Sequence, residues 1–172
     1  MTTWIALLRG INVGGNHIVP MKELKALMEN NGFQNVRTYI QSGNVVCDYP
    51  TPPNTEIGDL IESRFGFNPS TFILSAQQLK HTANCNPFPK DIGKAVHFFF
   101  LESLPDQIDY ALLESLKSES EAYRLIDNVF YVYAPDGIGK SKMVDKIGKA
   151  FSKTNMTARN LNTINKLLQM TE

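Results

Sequence analysis

What most constrains the fold of this chain is the order in which two kinds of apolar pattern follow one another. Trp4–Leu8 is an unbroken apolar run of strand length. Pro20 then stands where a helix accepts proline. Met21, Leu24, Leu27 and Met28 recur at helical spacing until Asn30-Asn31-Gly32 stops them. Val36–Gln41 and Val45–Tyr49 read as two strands around Ser42-Gly43-Asn44, a tight-turn signal. After the stiff Pro50-Thr51-Pro52-Pro53, residues Ile57, Leu60, Ile61 and Phe65 mark a second helix, and Ser70–Leu74 a fourth strand. The order βαββαβ is that of a split βαβ, or ferredoxin-like, unit.

The same order returns in the second half. Residues 76–94 read as a short helix, which Ser75 could cap, and a linker broken at Asn86-Pro87-Phe88-Pro89. Val96–Leu101 is the next strand and Gln107–Leu116 the next helix. Ala122–Ile126 and Val129–Ala134 form a hairpin around Asp127-Asn128. A helix runs from Ser141 to Phe151, a short strand over Met156–Arg159, and a last helix over Leu161–Met170. The halves share the pattern but no residue-level repeat. The expected fold is α+β: two ferredoxin-like βαββαβ lobes with mainly antiparallel sheets, the second extended by a C-terminal helix. The expected organisation is an N-terminal lobe at 1–76, a helical linker at 77–94 and a C-terminal lobe at 95–172.

Length and composition agree with this reading. A chain of 172 residues holds one ordinary domain or two small ones. Apolar residues make up 42% and charged residues 20%, ordinary for a globular protein. The longest apolar runs, Trp4–Leu8 and Val96–Leu101, fall far short of a membrane span, and Met1-Thr2-Thr3-Trp4 does not open a signal peptide. Cys47 and Cys85 make no Cys-x-x-Cys spacing, which fits reduced thiols in a cytoplasmic protein. Net charge is zero but unevenly spread, for residues 140–172 carry seven basic groups against two acidic. That asymmetry points to an anionic partner near the C-terminus, or to acidic and basic regions facing each other.

The first candidate site is Leu7-Leu8-Arg9-Gly10-Ile11-Asn12-Val13-Gly14-Gly15, in the turn between the first strand and the first helix. Glycine permits positive φ and close approach of a ligand to the backbone, and helix N-termini attract negative charge. In a split βαβ the first and second strands run parallel, so their C-terminal ends lie at one edge of the sheet. The turn Gln41-Ser42-Gly43-Asn44 should therefore meet this loop. Arg9 would pair with a carboxylate or phosphate, and Gly10, Gly14 and Gly15 would offer amides. Asn12, Gln41, Ser42 and Asn44 would orient the ligand. The competing reading is that these residues only satisfy turn geometry. His17 is the one histidine beside the loop and reads as a surface residue.

Ala134-Pro135-Asp136-Gly137-Ile138-Gly139-Lys140-Ser141 ends like a phosphate-binding loop, with alanine in place of the first glycine. Its strand belongs to a hairpin, and only 31 residues follow Ser141. None of them forms a strand ending in a magnesium-binding aspartate, which argues against a nucleotide triphosphatase. Lys140 and Ser141 remain candidates for a simple anion site, against a capped glycine turn. Beyond them, Lys142, Lys146, Lys149 and Lys153 make a stripe on a helix: a solvated face, or a surface for a polyanion.

In Thr157-Ala158-Arg159-Asn160-Leu161-Asn162-Thr163, Arg159 and Asn160 are further candidates, although Asn160 or Thr157 could simply cap the last helix. Phe98, Phe99, Phe100, Phe130, Tyr131 and Tyr133 lie on two central strands, where some sheets stack RNA bases. The basic-Gly-aromatic opening of that motif is missing, so they read as core packing. His81 and Cys85 have no partner pair for a metal, and neither metal nor cofactor is expected.

Four segments carry a family resemblance: Leu7–Gly15 (LLRGINVGG), Thr38–Val46 (TYIQSGNVV), Asp136–Met143 (DGIGKSKM) and Thr157–Leu167 (TARNLNTINKL). Together they resemble the bacterial family known as domain of unknown function 1697. The resemblance spans nearly the whole chain and implies a two-lobed, ferredoxin-like architecture. It implies no activity, and it carries over no catalytic residue. The residues assign no reaction. They point first to a small anionic or nucleotide-like ligand at the Arg9–Gly15/Gln41–Asn44 edge. The alternatives are nucleic-acid binding through the lysine stripe and Arg159, or an interaction scaffold.

Overall fold

The computed structural model describes residues Met1–Glu172 and begins with β1 (Thr2–Leu8), the inner strand on which the first sheet is built. α1 (Met21–Glu29) leads to β2 (Gln34–Tyr39), which turns into β3 (Asn44–Tyr49). α2 (Glu56–Phe65) then leads to β4 (Thr71–Ser75) and α3 (Ala76–Asn84). The strand order is β2-β3-β1-β4 with every neighbour antiparallel. β1 and β2 therefore point the same way with β3 between them, and both end at one edge.

β1 is apolar at every position from Trp4 because both of its faces are buried. Ala6 and Leu8 pack with Leu24, Met28, Ile57 and Ile61 of the two helices, while Ile5 and Leu7, on the opposite face, are equally buried. Beneath the sheet, Cys47 lies so deep that desolvation, reinforced by the nearby Asp48 carboxylate, pushes its thiol up to about 12. That thiol is packing rather than chemistry.

The second unit repeats the order. β5 (Val96–Leu101), α4 (Tyr110–Leu116), β6 (Ala122–Ile126), β7 (Val129–Tyr133), two short helices α5 (Lys142–Asp145) and α6 (Ile147–Ala150), and β8 (Met156–Asn160) precede α7 (Leu161–Met170). The strands lie in the order β6-β7-β5-β8, again all antiparallel. Phe99, Leu101, Phe130 and Val132 pack against Leu113, Met143, Ile147 and Phe151 of the helical layer. On the other face Val96, Phe98, Phe100 and Tyr131 are buried as well.

The chain divides into Met1–Asn84 with Asn165–Glu172, and Cys85–Ile164. α3, read from the sequence as part of a linker, packs on β1 and β4 through its buried Leu79. The last turns of α7 group with the first unit, where Arg37 of β2 donates through Nη1 to the Met170 carbonyl. A cation on a C-terminal carbonyl is the favourable placement for a helix end.

Two helices differ from expectation. The helix expected over Gln107–Leu116 starts at Tyr110, because Asp109 caps it by accepting from Leu112 N at 3.0 Å. The single helix expected over Ser141–Phe151 breaks at Lys146, whose φ of −107° and ψ of 6° leave the helical region. β-branched Val144 and Ile147 and the nearby Gly148 all weaken a helix there. As a result Lys142 lies on α5, Lys146 at the break between the two short helices and Lys149 on α6, and Lys153 lies in the following left-handed turn at φ +60°. They do not share one helix, and Lys146 Nζ sits 3.8 Å from Asp145.

His97 of β5 carries a testable consequence. Its Nδ1 is buried without a hydrogen-bond partner, and burial pulls its pKa down to about 4. The unfolded chain takes up this proton near pH 6.5, so folding is penalised as pH falls from about 6.5 to about 4 and is unaffected above that window. Allowing for the partial exposure of the ring, the loss is about 1–2 kcal/mol. Urea unfolding at pH 7.5 and 4.5 should show that loss in the wild type and a smaller one in His97→Leu. Equal losses in the two proteins would rule the assignment out.

Candidate functional site

The two segments expected to converge do so. Leu8 N donates to Gly43 O at 2.8 Å, and Asn12 Nδ2 donates to Gln41 O at 2.7 Å, so the β1–α1 loop and the β2–β3 turn are stitched together. Gly43 makes the seam possible. It sits at φ +91°, and a Cβ there would lie 2.8 Å from Leu8 Cβ and 3.0 Å from Leu8 O.

Within the loop, Asn12 N donates to His17 O and Asn16 N to Val13 O, each at 3.0 Å. Residues 12–17 thus fold into a small β-finger with Gly14 and Gly15 at its tip. Both are left-handed, at φ +58° and +75°, as a type I′ turn requires. Arg9 is exposed, and its N–H donates to Ser70 O at 3.0 Å. This contact brings in a third segment, the turn between α2 and β4, which has no sequence signal linking it to the loop.

The structure divides the candidate residues of this edge into two groups. Arg9, Gly10, Gly14, Gly15, Gln41 and Ser42 are exposed. Asn12 and Asn44 instead serve the fold. Asn12 Oδ1 accepts from Val19 N at 2.8 Å, and its Nδ2 also donates to Val19 O at 2.9 Å, which closes the loop. Asn44 is fully buried, donating to Tyr39 O at 3.2 Å and Ser42 Oγ at 3.0 Å.

Residues that sequence reasoning did not single out complete the edge. Ile40 is held at φ +50° and is 51% exposed. A β-branched residue in this region is a genuine outlier, costing on the order of 1 kcal/mol or more. Val13 and Ile18 are 64% and 53% exposed. A strained, exposed isoleucine leaves no mark in a sequence, because the turn that strains it is closed by contacts distant along the chain.

The other candidates belong to the second unit. Ser141 Oγ accepts from Val144 N at 3.1 Å, capping the four-residue α5. The hydroxyl at the end of the glycine turn thus caps a helix, with Lys140 exposed beside it. Asn160 Oδ1 accepts from Thr163 N at 3.0 Å and caps α7. Arg159 is 8% exposed. Its Nη1 donates to Thr157 Oγ1 and to Ala158 O, each at 2.8 Å, and desolvation brings its pKa down to about 10. It opposes Phe98 in the sheet. Burial of Phe98 and Tyr131 also removes them as platforms for nucleic-acid bases.

Two four-stranded antiparallel sheets with seven helices define an α+β protein, and no helix is long and apolar enough to cross a membrane. The chain belongs to the family described as protein of unknown function (DUF1697), whose sequence model matches residues 1–131 and so includes the whole stitched edge. It is also similar to the solved structure of the conserved bacterial protein SP0830 from Streptococcus pneumoniae. The two share 25% identity over 99% of each chain, with a TM-score of 0.73. None of the curated proteins matches it.

Proposed function

We propose that the edge formed by Arg9–Gly15 and Ile40–Ser42 binds a small anionic ligand. Arg9 supplies the charge, the tip amides of Gly14 and Gly15 supply hydrogen bonds, and Gln41 and Ser42 orient the ligand. The observation that carries this reading is the pair of bonds, Leu8 N to Gly43 O and Asn12 Nδ2 to Gln41 O, that hold these residues beside each other. Site-resolved NMR titration with inorganic phosphate and with sulfate tests it. Arg9, Gly14, Gly15 and Ser42 amides should shift saturably, and Arg9→Ala should weaken binding about tenfold or more, the scale of a lost charge-assisted bond. Shifts that are absent, or unchanged in Arg9→Ala, would overturn the reading.

The same edge supports a second reading, contact with another protein, because Val13, Ile18 and Ile40 are all exposed. Each unit is best read as a ferredoxin-like lobe, supported by the element order βαββαβ and the strand orders β2-β3-β1-β4 and β6-β7-β5-β8. A cytoplasmic setting is supported by the two free thiols of Cys47 and Cys85.

A further inference from the structure

An aromatic surface borders the same loops, and an anion alone would not use it. His17 is exposed, sits at φ +49°, and accepts from Asn12 N through its carbonyl, so the β-finger holds its backbone in place. Its imidazole lies flat on Phe67, with ring centroids 4.2 Å apart and planes within 14°. Phe67 belongs to the α2–β4 turn, whose Ser70 carbonyl accepts from Arg9 N. The ring is thus positioned twice over, by the finger through its backbone and by Phe67 against one face. Phe67 covers one face, and His17 as a residue stays exposed. Residues 9–20, 40–43 and 66–70, which build this edge, contain one formal cation, Arg9, and no carboxylate. A flat, pre-positioned ring on an edge whose one formal cation is Arg9 suits a ligand with a planar ring at one end and a negative charge at the other.

We infer that the anion taken at Arg9 carries a heteroaromatic ring, as a nucleoside monophosphate does, and that this ring stacks on the outer face of His17. The inference rests on the anion reading above and adds the chemical class of the ligand. Stacking of a base on an aromatic side chain is sequence-tolerant and strong enough to shift affinity by about tenfold or more.

The test compares inorganic phosphate, ribose 5-phosphate and AMP as ligands of the full chain, by calorimetry and NMR. AMP should bind at least about tenfold tighter than ribose 5-phosphate. His17→Asn, which tolerates the left-handed backbone, should remove that preference and leave ribose 5-phosphate affinity unchanged. His17→Tyr should restore the preference. Equal affinity for AMP and ribose 5-phosphate, with both dependent on Arg9, would overturn the ring inference and leave the anion reading standing. No Arg9-dependent binding of any of the three would overturn both. An AMP preference that survives His17→Asn would place the base elsewhere and overturn the inference alone.

Discussion

Phe130→Ala is expected to destabilise the second unit by about 3–5 kcal/mol, the range for emptying a buried aromatic site. Phe130 is wholly buried on the helical face of β7. Its ring meets Phe151 edge-on at 4.8 Å, Tyr123 at 5.4 Å and Phe99 at 6.5 Å. These partners come from β5, β6 and the turn after α6, so the ring ties two neighbouring strands to the helical layer. Sheet residues cannot close the cavity without breaking register with β5 and β6, so little relaxation offsets the loss. Urea unfolding, with hydrogen exchange of β5 and β7 amides as the local readout, measures it. A loss below about 1 kcal/mol would mean that Phe130 does not organise this core.

Gly43→Ala should cost about 2–4 kcal/mol, from the left-handed backbone together with a clash that cannot be relieved by turning a flexible side chain. The new methyl would press on Leu8 Cβ at 2.8 Å, Leu8 O at 3.0 Å and Ile11 Cδ1 at 3.1 Å. Leu8 is held by its pairing with Thr71 of β4, so the turn itself must move, and with it the bond from Leu8 N to Gly43 O. Gly14→Ala is the control. It shares the positive φ but has no atom within 4 Å of a Cβ, so it should lose only about 1–2 kcal/mol. Equal losses at the two positions would show that conformation alone, rather than the packing of the seam, requires glycine at 43.

Most of the architecture was legible because it rests on local periodicity. Trp4–Leu8 and Val96–Leu101 announced strands, and the Ile57, Leu60, Ile61, Phe65 spacing announced α2. The breaks were less legible. The lysine stripe was read on one helix because side-chain spacing carries no sign that the backbone leaves the helix at Lys146. Capping marks the start of α4, where Asp109 rather than the equally acidic Asp106 accepts from the first turn.

The candidate edge shows the same division. Strand direction alone implied that Arg9–Gly15 and Gln41–Asn44 would meet, since two parallel strands of a split βαβ end together. By itself, then, the sequence determined the order of elements, the buried strands and the pair of loops at one edge, all of which follow from patterns within a few residues. Only the tertiary structure decided which polar residues the fold consumes and which it leaves outside. Asn12, Asn44, Ser141 and Asn160 became internal hydrogen-bond partners and Arg159 was buried, while Ile40 was strained outward and His17 was laid on Phe67. The physical reason is that a hydrogen-bonding group is spent or available according to what lies within about 3 Å of it, and those neighbours come from distant parts of the chain.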